Sequence, residues 1–336
     1  MPPLVDVRDL SRLAYGFIGS KVLFAALNLD LFSRLTQPTT VDALAKETGV
    51  GPNRLRTLLA ALTAVGLVVR EGERYLNAPA SDRYLVRAAP AYFGDYYRFQ
   101  IDRQIYPALE HLDAGIVGDT DHLAFGGLEG LLADPTEATA FSQAQHAGSL
   151  GPAYLLARTL DVNGRRRLLD VAGGSGAFSI TLCNRHPEMT SVIIDFPNVI
   201  EVARRYVDAA GLGSRIRMIA ADALNVEWPG DQDVILMSYL LSAVGQSDIP
   251  TLFSKAYEAL TPGGLLVIHD FMLDDDRDGP ALAALWFVQY LAYRTDSVSF
   301  TAAALSGMLA DQGFVEASDQ VLIDEITKVL VCSKPA

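Results

Sequence analysis

The apolar positions of this chain change their period near residue 167. Before that point they recur at helical spacing. Leu10, Leu13, Phe17, Val22, Leu23, Ala26, Leu27 and Leu31 predict a helix over residues 8–36. They are denser than one buried face requires, so part of this helix is expected to pack on another subunit. TTVDALAKETG predicts a short helix with Thr39 or Thr40 as N-cap and Gly49 as its stop. GPNRLRTLLAALTAVG predicts a second, with Pro52 in its first turn and Gly66 at its end, and LVVREGERYLNA a hairpin turning at Glu71-Gly72. Helix, turn, helix and hairpin is the order of a winged helix. Residues 91–112 then carry Tyr92, Phe93, Tyr96, Tyr97, Phe99 and Tyr106. Such a stripe is either core or the aromatic wall of a ligand pocket, in which Arg98 or Arg103 would meet an anionic group. Residues 113–135 read as a loop with a short helix, and 136–160 as a helix.

From 167 onward, short apolar runs alternate with helical segments, the pattern of a doubly wound parallel sheet. Strands are expected at 167–171, 191–195, 215–222, 233–241 and 265–273, and the tail reads as two antiparallel strands. The first of these strands runs into LLDVAGGSGAF, residues 168–178. Gly173, Gly174 and Gly176 let the backbone bend sharply and approach a ligand closely. Asp170, Asp195 and Asp222 stand near the ends of three successive strands, and Asp195 lies 19 residues after Gly176, where an acid meets the hydroxyls of a ribose. A dinucleotide fingerprint needs a third glycine where Ser179 stands. The charge of Asp170 also suits an ammonium or sulfonium group better than a pyrophosphate.

Composition narrows the partners. The chain has 336 residues, half of them hydrophobic, enough for two domains, and a formal charge of −13. That charge argues against nucleic acid or an anionic membrane as the partner. The winged-helix segment is only weakly basic, with seven Lys/Arg against five Asp/Glu over 39–87. Cys183 and Cys332 belong to no metal-binding cluster. No signal-peptide pattern and no uninterrupted apolar run of about 18 residues is seen, so a cytoplasmic protein is expected.

These motifs resemble the class I S-adenosylmethionine-dependent methyltransferases, and in particular the small-molecule O-methyltransferases that include plant caffeate-type and bacterial natural-product enzymes. The resemblance covers essentially the whole chain. It implies an α/β fold: a Rossmann-like seven-stranded sheet, parallel with one antiparallel strand, plus an N-terminal helical, winged-helix dimerisation domain. The domains would be 1–110 for dimerisation, 111–160 for connecting helices and a pocket lid, and 161–336 for catalysis. S-adenosylmethionine would be the cofactor, a small molecule the substrate, and the protein a homodimer through its N-terminal domain. By position, LLDVAGGSG matches the family's glycine segment, placing Asp170, Gly173, Gly174 and Gly176 at the methionine part of the cofactor. DFPNVIE makes Asp195 the ribose ligand, with Phe196 beside the adenine. AADAL puts Asp222 at the adenine amino group and Ala223 against the ring. Ser149 of FSQAQHAGS would approach the cofactor, and Ser238 and Tyr239 would face its sulfonium region. Tyr97, Arg103, Tyr106, His146, Trp286, Tyr290 and Arg294 would line the acceptor site.

One departure bears on the chemistry. The family's His-Asp pair, which takes the acceptor's proton, falls on Ser242 and Ala243. Serine is a poor general base. The acceptor could be acidic enough for positioning to suffice, or another group could serve as base. His269 is a candidate, although a packed structural histidine is the alternative reading. O-methylation is the leading expectation; the alternatives are C- or N-methylation, or cofactor binding without methyl transfer. Relatives that use a metal bind it through histidines missing here, so no metal is expected.

Overall fold

Ten strands, β1 to β10, carry the fold among the described residues, which are 3–119, 128–292 and 299–336 of the computed structural model. The chain divides into two units, one ending at Gln104 and one beginning at Ile105.

In the first unit the predicted helix over 8–36 is three helices, Val7–Ala14, Gly16–Asn28 and Leu31–Arg34. Asp30, at φ +52°, turns the chain through a left-handed conformation before the third. Apolar density marks a helical region but not such breaks. Phe24, Ala26, Leu27, Leu31 and Phe32 enter the core, whereas Leu10, Leu13, Phe17 and Ile18 stay exposed. Taken as one segment, Val7–Asn28 is long and apolar enough to cross a membrane by length and composition, with 17% of its most apolar window buried. It is not an uninterrupted apolar run, since Arg8, Asp9, Arg12 and Lys21 lie within it.

The next helix, Val41–Thr48, is capped by Thr40, whose hydroxyl accepts from the Ala43 amide, and ends at Gly49 with φ +71°. Pro52 opens the helix Pro52–Ala64. Strands β1 (Thr39–Thr40), β2 (Val68–Glu71) and β3 (Arg74–Asn77) form a small sheet in the order β1-β3-β2. Its hairpin turns at Gly72-Glu73, one residue later than expected, with Gly72 supplying φ +61°.

In the second unit β4 (Arg167–Val171), β5 (Thr190–Asp195), β6 (Ile216–Ala220), β7 (Gln232–Ser238), β8 (Leu260–Phe271), β9 (Val315–Ile323) and β10 (Thr327–Ser333) make a seven-stranded sheet. Its order is β6-β5-β4-β7-β8-β10-β9. Only β10 runs antiparallel to both neighbours; the pairs from β6 to β8 are parallel. The apolar runs are continuous because both faces are covered. Leu169, Ile235, Met237, Leu266 and Ile268 pack into one core. Their alternates Leu168, Val234, Leu236 and Val267 pack into the other.

This order places the functional crevice. From β4 the chain winds outward through β5 to β6, then returns to lay β7 on the other side of β4. Ligands of open α/β sheets gather at the carboxyl ends of the strands at such a reversal. Two non-glycine residues with positive φ stand there, Ala172 at +52° after β4 and Tyr239 at +57° after β7. Conformations of this kind cost about 1–3 kcal/mol and cluster at ligand sites.

Candidate active site

Asp170 is the foundation of the site. It is 0% exposed at the end of β4, and the Ser179 hydroxyl donates to its Oδ2 at 2.6 Å. Burial pushes its carboxyl up to about 7, against the pull of the Ser179 bonds. Its Oδ1 has no partner among the described residues. Gly173 lies directly over it: a Cβ there would sit 2.7 Å from the Asp170 Cγ and 2.9 Å from Oδ2. The turn then passes Gly174 and Gly176, both at positive φ, into the helix Ala177–Arg185. Asp170 therefore supports the turn from beneath rather than lining its surface.

Asp195, at the end of β5, ties the turn from the side. Its Oδ2 accepts from the Gly174 amide at 2.8 Å and its Oδ1 from the Phe196 amide at 2.7 Å. Burial raises its carboxyl to about 6, opposed by those two amides. A carboxylate offers about four lone pairs, so two acceptor positions remain for a ligand's hydroxyls. Asp222 is used differently. Its Oδ1 accepts from the Leu224 amide at 2.9 Å, and its Oδ2 accepts from the Asn225 side chain, so half its capacity closes its own turn. Lys255 donates to the Ala223 and Val226 carbonyls, and the Trp228 indole also donates to Ala223. The loop carrying Asp222 and Ala223 is thus held from behind.

Across the reversal, Ser238 and His269 share a hydrogen bond at 2.9 Å, and the other ring nitrogen of His269 meets Thr327 Oγ1 at 3.0 Å. His269 is 0% exposed and burial lowers its pKa to about 3. Tyr239 sits edge-on to that ring at 4.5 Å. Both ring nitrogens of His269 are thus engaged by hydroxyls. Ser242 is 4% exposed; its amide donates to Asp270 Oδ2 at 3.1 Å, and its hydroxyl has no partner among the described residues. Asp270, wholly buried, is pushed up to about 7 by burial. It stands near the end of its strand as Asp170 does, a place to which the sequence reading assigns no role.

An aromatic cluster stands on β8 and the helix Ala281–Tyr290. Trp286 stacks on Phe271 at 4.5 Å and 17°, and Tyr290 meets Trp286 edge-on. The Trp286 indole nitrogen is buried without a partner among the described residues. Tyr106 is half-buried in the same unit. Tyr97 and Arg103 belong to the N-terminal unit, where Tyr97 packs with Phe93 and Tyr96 against that unit's core and Arg103 is exposed. His146, expected at the acceptor, is instead found at the glycine turn, 2.9 Å from Ser175 Oγ. Arg294 lies outside the described residues.

Comparison with known proteins places this geometry. Residues 122–315 match the O-methyltransferase domain, and residues 11–87 match the O-methyltransferase dimerisation domain. The chain is 31% identical to the tetracenomycin polyketide synthesis 8-O-methyl transferase of Streptomyces glaucescens, over 94% of each chain. It is 31% identical to the 3-hydroxy-5-methyl-1-naphthoate 3-O-methyltransferase of Streptomyces sahachiroi, over 91% of this chain and 89% of that one. A solved O-methyltransferase family protein from Burkholderia thailandensis superposes with a TM-score of 0.83 at 26% identity, covering 99% of both chains.

Proposed function

This chain belongs to the O-methyltransferase family, and from that premise we propose which of its residues hold the methyl donor and what it methylates. The donor is S-adenosylmethionine, which when bound supplies a methyl group carried on a sulfonium. The residues fit it. Gly173 lets the backbone close down on the buried Asp170 where a side chain would clash, which shapes the turn, and Asp195 keeps free acceptor positions beside it. In this reading Asp195 takes the ribose hydroxyls, Phe196 and Ala223 flank the adenine, and Asp222 uses its remaining lone pairs on the adenine amino group. Gly173, Gly174 and Gly176 bring backbone to the methionine part, with Ser149, Ser238 and Tyr239 closing the site. The observation that carries the assignment is the Asp195 carboxylate bonded to the Gly174 amide at the sheet's reversal.

The acceptor reading follows from Ser242. With Ser242 where the family has its histidine, the described residues offer no base of that kind, and we read the acceptor as one that ionises readily. A hydroxyl conjugated with a ring carbonyl but too far from it to form an internal hydrogen bond meets that need, and the flat Phe271–Trp286 stack suits a fused aromatic ring. The two curated relatives named above are O-methyltransferases of a polyketide pathway and of a hydroxynaphthoate. We therefore assign O-methylation of a phenolic, polyketide-like small molecule, achieved by holding the oxygen in line and excluding water. The check is transfer of label from methyl-labelled S-adenosylmethionine to a panel of hydroxynaphthoic acids and hydroxyanthraquinones. Labelled aryl methyl ethers are expected, with Ser242→Ala retaining activity within about tenfold because proton removal is not its role. Label on carbon or nitrogen would transfer support to the alternative chemistries, and a loss beyond about a thousandfold in Ser242→Ala would make that serine essential.

The exposed Leu10, Leu13, Phe17 and Ile18 of the dimerisation domain are read here as the homodimer face rather than a membrane contact. Light scattering should give twice the 36.3 kDa chain mass, and Phe17→Glu a lower mass; a monomeric wild type would remove this reading.

A further inference from the structure

After β6 the chain turns through Asp222 to Trp228 before it reaches β7. The Ala221 amide donates to the Asp195 carbonyl at 2.9 Å, and the Asp222 carbonyl accepts the amides of Asn225 and Val226 at 3.1 and 3.0 Å. A second support comes from outside the turn. Lys255, on the helix Ile249–Ala259, donates through Nζ to the Val226 carbonyl at 2.6 Å and to the Ala223 carbonyl at 3.1 Å. The Trp228 indole donates to the same Ala223 carbonyl at 2.8 Å, and the Lys255 ammonium stands 5.8 Å from the centre of the indole ring.

One peptide unit is therefore held at both ends. The carbonyl of Ala223 receives Lys255 and Trp228, while the amide on the other side of the same bond, that of Leu224, donates to Asp222 Oδ1 at 2.9 Å. The carbonyl and N–H of a planar trans peptide point in opposite directions, so fixing one aims the other. A cation at the oxygen also polarises the amide and makes its N–H a stronger donor. Lys255 thus acts on the Asp222 carboxylate without touching it. Its ammonium is half-buried and is met by carbonyls rather than a carboxylate among the described residues. A charge taken from water without a countercharge is costly, and a neutral donor would serve if the turn needed only a brace.

We propose that Lys255 is a positioning residue for adenine recognition: through the Ala223–Leu224 peptide it orients the Asp222 carboxylate, whose remaining lone pairs face the amino group of the cofactor's adenine. The proposal rests on the assignment of Asp222 to that amino group made above. It adds Lys255 to the functional set, with Trp228 as the second donor to the Ala223 carbonyl, and makes the choice of base depend on a cation behind the turn.

Calorimetric titration with two ligands tests it without an acceptor or turnover. One is S-adenosylhomocysteine; the other is its inosine analogue, in which a ring carbonyl takes the place of the amino group. A carboxylate aimed at that position accepts from the amino group but meets a second acceptor in the analogue. The wild type is expected to bind S-adenosylhomocysteine about thirtyfold more tightly than the analogue, the scale of one hydrogen bond to a charged group. Lys255→Met keeps most of the side chain's length without its charge, and its preference should fall to about threefold or less. Lys255→Arg, which keeps the charge, should retain most of the preference. Trp228→Phe removes the indole donor alone and should lower the preference by a smaller factor, which decides the matter where Lys255→Met does not fold. A residue that only stabilises the fold would weaken both ligands alike. An unchanged ratio in Lys255→Met and Trp228→Phe therefore overturns the proposal and leaves the adenine assignment standing. If the wild type itself does not distinguish the two ligands, the adenine assignment fails and takes this proposal with it.

Discussion

Asp195→Ala is expected to lower the affinity for S-adenosylhomocysteine by about a hundredfold or more. The carboxylate does two things at once. It accepts the amides of Gly174 and Phe196 at 2.8 and 2.7 Å, fixing the turn on one side and the start of the next helix on the other. It also keeps lone pairs for the ribose hydroxyls. Alanine leaves two amides without their partner, each worth about 1–3 kcal/mol when buried. The turn must then be ordered at the expense of binding, and charge-assisted bonds to the ligand, about 1.5–3 kcal/mol each, are also lost. Since 1.4 kcal/mol is about a factor of ten, a hundredfold is the smaller end of this range. Asp195→Asn keeps the shape but opposes an amide N–H with its own, so it should fall between. Calorimetry on the three proteins decides it, and an affinity within about threefold of wild type for the alanine variant would contradict the assigned role.

The second large effect is on stability as a function of pH, read as the difference between Asp170→Asn and the wild type. The Asp170 carboxyl is raised from an ordinary value near 3.8 to about 7 by burial. The folded protein therefore holds that proton more tightly than the unfolded chain does. Between about pH 4 and 7 the folded state binds more protons, so stability falls as pH rises through this window and is lowest above 7. At about 1.4 kcal/mol per unit, this one group is worth about 4 kcal/mol across the window. Asp270 and Asp195, raised to about 7 and about 6, act in the same direction. His146 and His269, lowered to about 4 and about 3 by burial, act in the opposite one, gaining stability as pH rises toward 6.5. The wild type should therefore show a shallow slope despite large opposing parts. Asp170→Asn removes one part alone, so its stability relative to the wild type should climb steadily from pH 4 to 7 and then level. Denaturant titrations at half-unit intervals would show this, and a difference that stays flat with pH would place the Asp170 proton elsewhere.

The strength of the sequence pattern varied with how local the chemistry is. The turn at 173–176 and its acid at 195 are legible because phosphate- and ribose-type sites fix the spacing between a strand, a glycine turn and the next strand. The strands themselves are legible from runs such as Val234–Met237, where both faces are buried. His146, Ser175 and Tyr206 are not legible as a group. His146 meets a serine 29 residues away and a tyrosine 60 residues away, and only packing of the helix Pro135–Thr159 against its neighbours brings them together. His269 shows the same limit in reverse: it stands at a strand end near the expected pocket, but its hydroxyl partners on β7 and β10 exist only once the sheet is formed. Asp222 carries a local duty, closing its own turn, that competes with the ligand role its position suggests. The break at Asp30 is a left-handed residue inside a helical period, which no apolar pattern records.

The central claim is that S-adenosylmethionine lies over Gly173–Gly176 at the reversal between β4 and β7, with its ribose on Asp195. A crystal structure with S-adenosylhomocysteine tests it most directly. The account predicts ligand density across the glycine turn, both ribose hydroxyls within hydrogen-bond distance of the Asp195 carboxylate, and the thioether sulfur toward the side of Ser238 and Tyr239. Density for the ligand away from that turn, or a ribose that makes no contact with Asp195, would contradict it.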